Sequence, residues 1–371
     1  MQKRKLKRSI TKHLSKIDEI WQPSSQDTIT EKIISLNQFI KRNQTLKLHK
    51  SSSNQLHPES IPYQQSVFHF FLYYAPYPNI SFVFKTKEAL LFAAFIGRQY
   101  DNIMLSCPIS KDAKSILCSL NDLLSNPVFS SLLQHLKINQ ILLRDISDEI
   151  VNKLRNKQKE CLFSLDSLKE LNYATYDLDN TLNLQGATFA NLRWHLNKFK
   201  KQNHTVEVID SNKEIATAVH LIGQWRRQAI RNRGFSFADV RSDKLGIRIL
   251  KEKVRVNEKK TPHQQLPALS SVIGRILKVD GTIASINIGY PLGIFNRQNI
   301  FAHAVGISDL SILHLAEFAQ YDFWKQIRKA GYWYINDGPS WKKSLEIYKN
   351  KFRPIAKKRY YWATLSLMLS T

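Results

Sequence analysis

Two short stretches carry the side chains best suited to chemistry. "NIFAHAVGISD" (299–309) and "YWYIND" (332–337) are β-rich runs that each end in a carboxylate, Asp309 and Asp337. Asn336 stands beside the second acid, and His303 lies inside the first run. Carboxylates and imidazoles take up protons, and amides donate to oxygens that gain charge. Asp309, Asn336 and Asp337 are therefore the candidate catalytic residues. Each position also has a plainer reading. Asp309 is placed to cap the helix that follows, Asp337 before Gly338-Pro339 suits a turn, and His303 in an apolar strand suits a hydrogen-bonded core residue.

Metal and nucleotide chemistry have no such support. The cysteines, Cys107, Cys118 and Cys161, show neither metal-ligand spacing nor a disulfide framework, so no metal is expected and a reducing compartment is. No Gly-x-Gly pattern supports a dinucleotide or nucleoside-triphosphate site.

Positive charge is the stronger signal. The chain holds 55 Lys and Arg against 30 Asp and Glu, and residues 1–60, 186–260 and 341–371 account for 24 of the 25 net charges. Within 186–203, Phe189, Leu192, Leu196 and Phe199 form the apolar stripe of a helix whose other face carries Arg193, Lys198, Lys200 and Lys201. Arg226, Arg227, Arg231 and Arg233 crowd one end of a second helix beside Trp225, where the helix dipole also favours them. Lys342, Lys349 and Arg353 share a face opposite Trp341, Leu345, Tyr348 and Phe352. Arg193, Lys198, Arg226, Arg227, Lys349, Lys351 and Arg353 are the candidate binding residues for a phosphate-bearing substrate such as a tRNA acceptor end. Solvated basic faces are the alternative.

The elements that must position these groups mix strands and helices throughout, an α+β pattern. Residues 1–60 read as a basic polar extension. After it come aromatic strands, a helical stretch broken at Asn126-Pro127, a strand, and a helix opened by Ser147. The second half reads as helix, a hairpin turning at Asp280-Gly281, a third strand, a long helix over 309–331, strand, helix and last strand. The expected division is 61–185, a connecting basic helix at 186–204, and 205–371. The longest apolar run, "ALLFAAFIG" (89–97), is far shorter than the roughly 20 residues of a membrane span, and the N-terminus lacks the apolar core of a secretory signal. The expected location is the cytoplasm, with peripheral contact to an anionic inner membrane face as the one membrane option.

The order of the second half resembles the Gcn5-related acyltransferase fold, in which a hairpin and third strand precede a central helix. Two stretches resemble the phosphatidylglycerol lysyltransferase C-terminal family more closely. "LNYATYDLDNTLNLQGATFANLRWHLNKFKK" (171–201) is similar to that family's segment between halves, and "GYWYINDGPSWKKSLEIYKNKFRP" (331–354) to its ending, with Asn336, Gly338, Lys349, Lys351, Phe352 and Pro354 at matching positions. The resemblance covers residues 66 to 370. It implies two tandem acyltransferase-like domains, each a central mixed sheet flanked by helices, and aminoacyl transfer from aminoacyl-tRNA as co-substrate to an unidentified acceptor. It also implies that reacting groups lie where the third strand and the strand after the central helix part, and that the Lys349 region faces the substrate cleft. Coenzyme-A-dependent members cradle pyrophosphate on a "Q/R-x-x-G-x-G/A" segment at the central helix start. Here that place reads "GISDLSILHLAE" (306–317), which disfavours coenzyme A. The alternatives are a coenzyme-A-dependent N-acyltransferase and a non-catalytic nucleic-acid-binding or adaptor protein on the same fold.

Overall fold

The structure is a computed structural model that describes residues 32–35, 81–85, 89–96, 102–110, 113–156, 162–209, 212–233, 251, 272–295, 297–340 and 342–367. The basic extension 1–60 lies outside the described residues except for one strand, as do the strand expected at 66–78 and the segment 234–250. The chain forms two compact units, 1–171 with 359–371, and 172–358.

In the first unit, β1 (Lys32–Ser35), β2 (Ser81–Lys85), β3 (Ala89–Ile96) and β4 (Asn102–Ser110) pair antiparallel in sequence order. Helices α1 (Ala113–Ser125) and α2 (Pro127–His135) then carry the chain to β5 (Gln140–Ile146), which pairs parallel with β4. The break between the helices falls at Asn126-Pro127, where proline tolerates only a first-turn position. Helix α3 (Asp148–Asn156) follows, with Asp148 and Glu149 in its first turn. The sheet is completed by β12 (Ala356–Leu367), the last strand of the chain, antiparallel to β5. Leu105, Leu120, Phe129, Leu132, Ile141, Leu143, Val151 and Leu365 meet in one core.

The chain enters the second unit within β6 (Phe163–Asp177). This unit's strands run in the order β6, β11 (Tyr334–Ser340), β10 (Gln298–Ser308), β9 (Thr282–Phe295), β8 (Ile273–Val279), β7 (His204–Val208). All neighbours are antiparallel except β10 and β11. Asp280 and Gly281, both with positive φ (49° and 77°), turn the β8–β9 hairpin as an Asp-Gly pair does best. Helices α4 (Leu178–Asn183), α5 (Ala190–Phe199), α6 (Asn212–Arg233), α7 (Leu315–Lys329) and α8 (Lys343–Asn350) complete the unit.

The expected stripe of α5 is what it buries: Phe189, Leu192, Leu196 and Phe199 join Phe301, Phe318, Phe323, Trp324 and Phe352 in the core of the second unit. This helix, expected as a connector, is thus counted within 172–358. Each unit has a mixed sheet flanked by helices. Among the described residues, no helix is long and apolar enough to cross a membrane.

Candidate active site

The site is built where β10 and β11 part. Their parallel pairing runs from Ile300–Tyr334 to Ala302–Asn336 and ends there. The next residue on each strand is His303 and Asp337, and these two meet across the opening, His303 Nδ1 lying 3.0 Å from Asp337 Oδ1. Asn336, at the last paired position, accepts the backbone N–H of Gly338 at 2.9 Å. That contact fixes the bend at which β11 turns away, with Gly338 at φ 66°.

Lys349 on α8 closes the cluster from the other side. It is buried, 4% exposed. Its ammonium donates to the carbonyls of Asp337, Gly338 (2.9 Å) and Pro339 (3.3 Å) and stands 3.8 Å from Asp337 Oδ2. Burial pushes the Asp337 carboxyl up, but the Lys349 and His303 charges and their hydrogen bonds outweigh it and hold the carboxyl below its usual range. Burial lowers the Lys349 ammonium, with Asp337 opposing. Lys349 was expected among the residues that bind a phosphate-bearing substrate; the structure buries it, with its ammonium turned to these carbonyls. Helix α8 ends at Asn350, so Arg353, at φ 55°, has no place in its helical face pattern.

His303 has no nitrogen to spare. Nε2 meets Asn287 Oδ1 at 3.0 Å, and Nδ1 meets Trp324 Nε1 at 3.2 Å as well as Asp337. It positions Asp337 rather than standing free as a base. Asn287 in turn reaches Ser285 and the Ala319 carbonyl on α7, so β9, β10, β11 and α7 are locked around the opening.

Asp309 lies elsewhere. Its carboxylate accepts the N–H (2.9 Å) and hydroxyl (2.7 Å) of Ser311. It caps a turn rather than α7, which begins only at Leu315 with His314 as its N-cap at φ 65°. An acid that already takes this turn's amide leaves that amide closed to a pyrophosphate.

The basic residues divide into groups. Arg193 donates to the carbonyls of Leu184 and Gly186 (2.8 Å), and Arg353 to that of Thr188 (3.2 and 3.0 Å). Both tie down the turn that opens α5. Lys351 pairs with Glu317 at 2.6 Å. Lys198 stands over the ring of Trp194, itself 51% exposed. Those four gather around α5 and the end of α8. Arg226 and Arg227 lie on α6, which packs on β9 and β10; among the described residues, none of its side chains belongs to the core that α5 and α7 share.

The sequence did not single out a second polar group on α7. Glu317 (7% exposed) takes Lys351 and lies 3.7 Å from His195 Nδ1, which meets His314 Nδ1 at 2.6 Å. One turn on, the Gln320 amide oxygen accepts the Tyr348 hydroxyl at 3.0 Å. Glu317, Gln320 and Trp324 recur at steps of three and four, so a polar pair inside an apolar helical stripe was the available signal. Among the described residues, no group of His, Cys, Asp and Glu is arranged to hold a metal ion.

No protein-family model and no curated protein matches the chain. A solved structure does: a conserved protein of unknown function from Bacteroides thetaiotaomicron, 17% identical, aligning over 92% of this chain and 100% of that one with a TM-score of 0.60. The two chains share a fold. The second unit has the order of hairpin, third strand, central helix and parallel strand that the sequence resemblance implied. The C-terminal domain of a lysylphosphatidylglycerol synthetase from Agrobacterium fabrum aligns at 11% identity, over 87% and 92% of the two chains, with a TM-score of 0.48. A tandem Gcn5-related protein from the clavulanic acid pathway aligns at 7% identity, over 92% and 100%, with a TM-score of 0.49. At those scores neither likeness carries an argument about activity.

Proposed function

We propose that the second unit transfers an aminoacyl group, with aminoacyl-tRNA as donor. The observation that carries this reading is the parting of β10 and β11 at His303 and Asp337, where a buried, charge-matched cluster stands at the head of the opening. The sequence resemblance at 171–201 and 331–354 supports an aminoacyl rather than a simple acyl group, and the capped turn at Asp309 argues against coenzyme A as carrier.

The chemistry asks little of covalent catalysis, because the tRNA ester is already activated. The acceptor's amine or hydroxyl attacks the ester carbonyl, and the bond from that carbon to the 3′ oxygen of the tRNA breaks. The proton shed by the nucleophile ends on the departing hydroxyl. The protein supplies position and fixed charge. Lys198 and Trp194, exposed together on α5, offer a cation and an aromatic face to a phosphate-bearing donor or an anionic lipid surface.

The test is incubation of the full chain with a pool of labelled aminoacyl-tRNAs and a cell extract divided into lipid, peptide and small-molecule fractions. Label should leave tRNA and enter one fraction, and Asp337→Asn, assayed at a temperature where circular dichroism shows it folded, should reduce the rate at least 100-fold. Label that stays on tRNA throughout, or an Asp337→Asn protein as active as the original, overturns the reading.

A further inference from the structure

Two imidazoles meet at the head of α7. His195 Nδ1, on α5, lies 2.6 Å from Nδ1 of His314, the N-cap of α7. So short a contact between two ring nitrogens needs one hydrogen between them, one ring donating and the other accepting. The pair therefore holds only while one Nδ1 is bare. The neutral pair carries two protons. A third settles on an outer Nε2 and leaves the bridge whole. A fourth must occupy the last bare Nδ1, and it sets two N–H groups against each other.

The pair is open to water and has another partner at hand. The His195 side chain is 15% exposed, and the half-exposed Trp194 ring stands edge-on to both imidazoles, at 5.2 and 5.0 Å. Glu317 on α7 places a carboxylate oxygen 3.7 Å from His195 Nδ1. Burial pushes that carboxyl up, but Lys351 and His195 hold it below its usual range. A charged carboxylate has room for a second donor beside Lys351. The other charged groups nearby are engaged elsewhere. Lys198 stands over Trp194, Arg193 holds backbone carbonyls, Asp309 takes Ser311, and His204 on β7 packs on Phe199 and Phe318. Burial lowers His195 from 6.5, Glu317 opposes this, and Lys351 and His314 add to the lowering, so His195 takes its extra proton below 6.5.

We propose that His195 and His314 form a proton-operated latch on the turn 309–314, which leads from β10 into α7. Latched, one proton bridges the two Nδ1 atoms and ties the turn to α5. When both rings are charged, His195 turns its Nδ1–H to Glu317, and His314 swings free with its neighbour Leu313, already 73% exposed. His314 stands at φ 65°, a conformation that disfavours residues other than glycine, and the bridge helps to hold it there. Asp309 stays fixed, its N–H on the Ala284 carbonyl at 2.7 Å, so release is confined to the far end of the turn. The latch acts on the helix whose later turns carry Gln320 and Trp324, the second of which donates to His303. It operates without substrate or turnover and does not depend on the aminoacyl-transfer reading.

The experiment titrates the full chain, labelled with 15N on histidine. It runs from about pH 8, the top of the histidine range, down to 4.5, the ordinary value of the Glu317 carboxyl that must stay charged. At the upper end the two Nδ1 nitrogens should show a scalar coupling across their hydrogen bond, assigned by its absence in His195→Asn. The coupling should survive the first protonation step and vanish at the second. Over that second step, hydrogen exchange of residues 310–314, corrected for its intrinsic pH dependence, should quicken at least tenfold. His314→Asn removes the bridge but keeps a residue that tolerates positive φ, so exchange in its turn should be fast and flat across the titration. Glu317→Gln, read where circular dichroism shows it folded, should move release to lower pH, because the charge that receives His195 is gone. The proposal is overturned if no coupling is seen at about pH 8, if the turn exchanges equally at both ends of the titration, or if either variant keeps the pH response of the original.

Discussion

Replacing Lys349 with methionine tests whether the cluster at the strand opening is a matched buried charge pair. Methionine keeps most of the volume and removes the ammonium. The Asp337 side chain, 9% exposed, would lose its cation, and the carbonyls of Asp337, Gly338 and Pro339 would lose their common donor. Breaking a buried pair by deleting one partner costs about 3–5 kcal/mol. For a unit spanning 172–358, each kcal/mol moves the melting midpoint by about 2–4 °C, so the expected drop is about 6–20 °C. Combining Lys349→Met with Asp337→Asn should recover a large part of that loss, since a neutral amide no longer demands a counter-charge, and the two changes are in contact and need not add. Calorimetry and urea unfolding of the full chain give the values. A loss below about 1 kcal/mol for Lys349→Met, or strictly additive effects in the double variant, would refute the account of this cluster.

The pH dependence should follow from three groups. Asp337 and Glu317 have native values below their ordinary 3.8 and 4.5, so their contribution is present above those values and lost as the pH falls through the native ones; Asp337→Asn should flatten this limb of a urea-stability profile. Burial lowers His195 from 6.5, against the pull of Glu317, so the unfolded chain takes the proton first; stability should decline as the pH drops below 6.5, and His195→Asn should remove that slope. Gly289→Ala should unfold the β9–β10 pair locally, because an added Cβ would stand 2.2 Å from the Ala302 carbonyl beside His303; a cost at or above the upper end of about 1–3 kcal/mol is expected in urea, and an unaffected protein would contradict the register. Trp362→Phe should destabilise the first unit by about 1–3 kcal/mol, since its indole N–H meets the buried Asp145 carboxylate at 2.9 Å. Filter binding of tRNA should show a steep salt response that Lys198→Ala reduces by about one contact, 0.7–0.9 in log–log slope, while Arg193→Ala should act on stability through the turn it caps.

Local chemistry made much of the architecture legible. Pro127 broke the first-unit helix where its missing N–H requires, Asp280-Gly281 made the hairpin, and the spacing of Phe189, Leu192, Leu196 and Phe199 picked out the buried face of α5. Asn336 and Asp337 could be found as groups at a strand end, and the structure joins them to His303 and Lys349. Arg353 fell off the expected face because α8 ends at Asn350, and the burial of Lys349 was not legible because a lysine reads as solvated unless the carbonyls that it will satisfy are known. The long helix was begun six residues early, since Asp309 looks the same in sequence whether it caps a helix or a turn. Gln320 could be read only as a polar break in an apolar stripe. Its bond to Tyr348 is a property of the packed interior, not of the residue.

The strand partners β5 and β12 set an order of events on the ribosome. When β5 leaves the exit tunnel, the strand that will cover its edge has not been made; it begins 210 residues later, at Ala356. At ordinary synthesis rates that interval lasts roughly 10–40 s. For that time the nascent first unit exposes the backbone of Ile141–Ile146 as an open edge, the kind of surface that recruits foreign strands. A gene fragment ending near residue 204 would make this temporary state permanent, for it omits β12 altogether. Separate expression of the halves should therefore fail at every single cut between them, and a chain permuted to begin at β12 should fold its first unit during synthesis rather than after it.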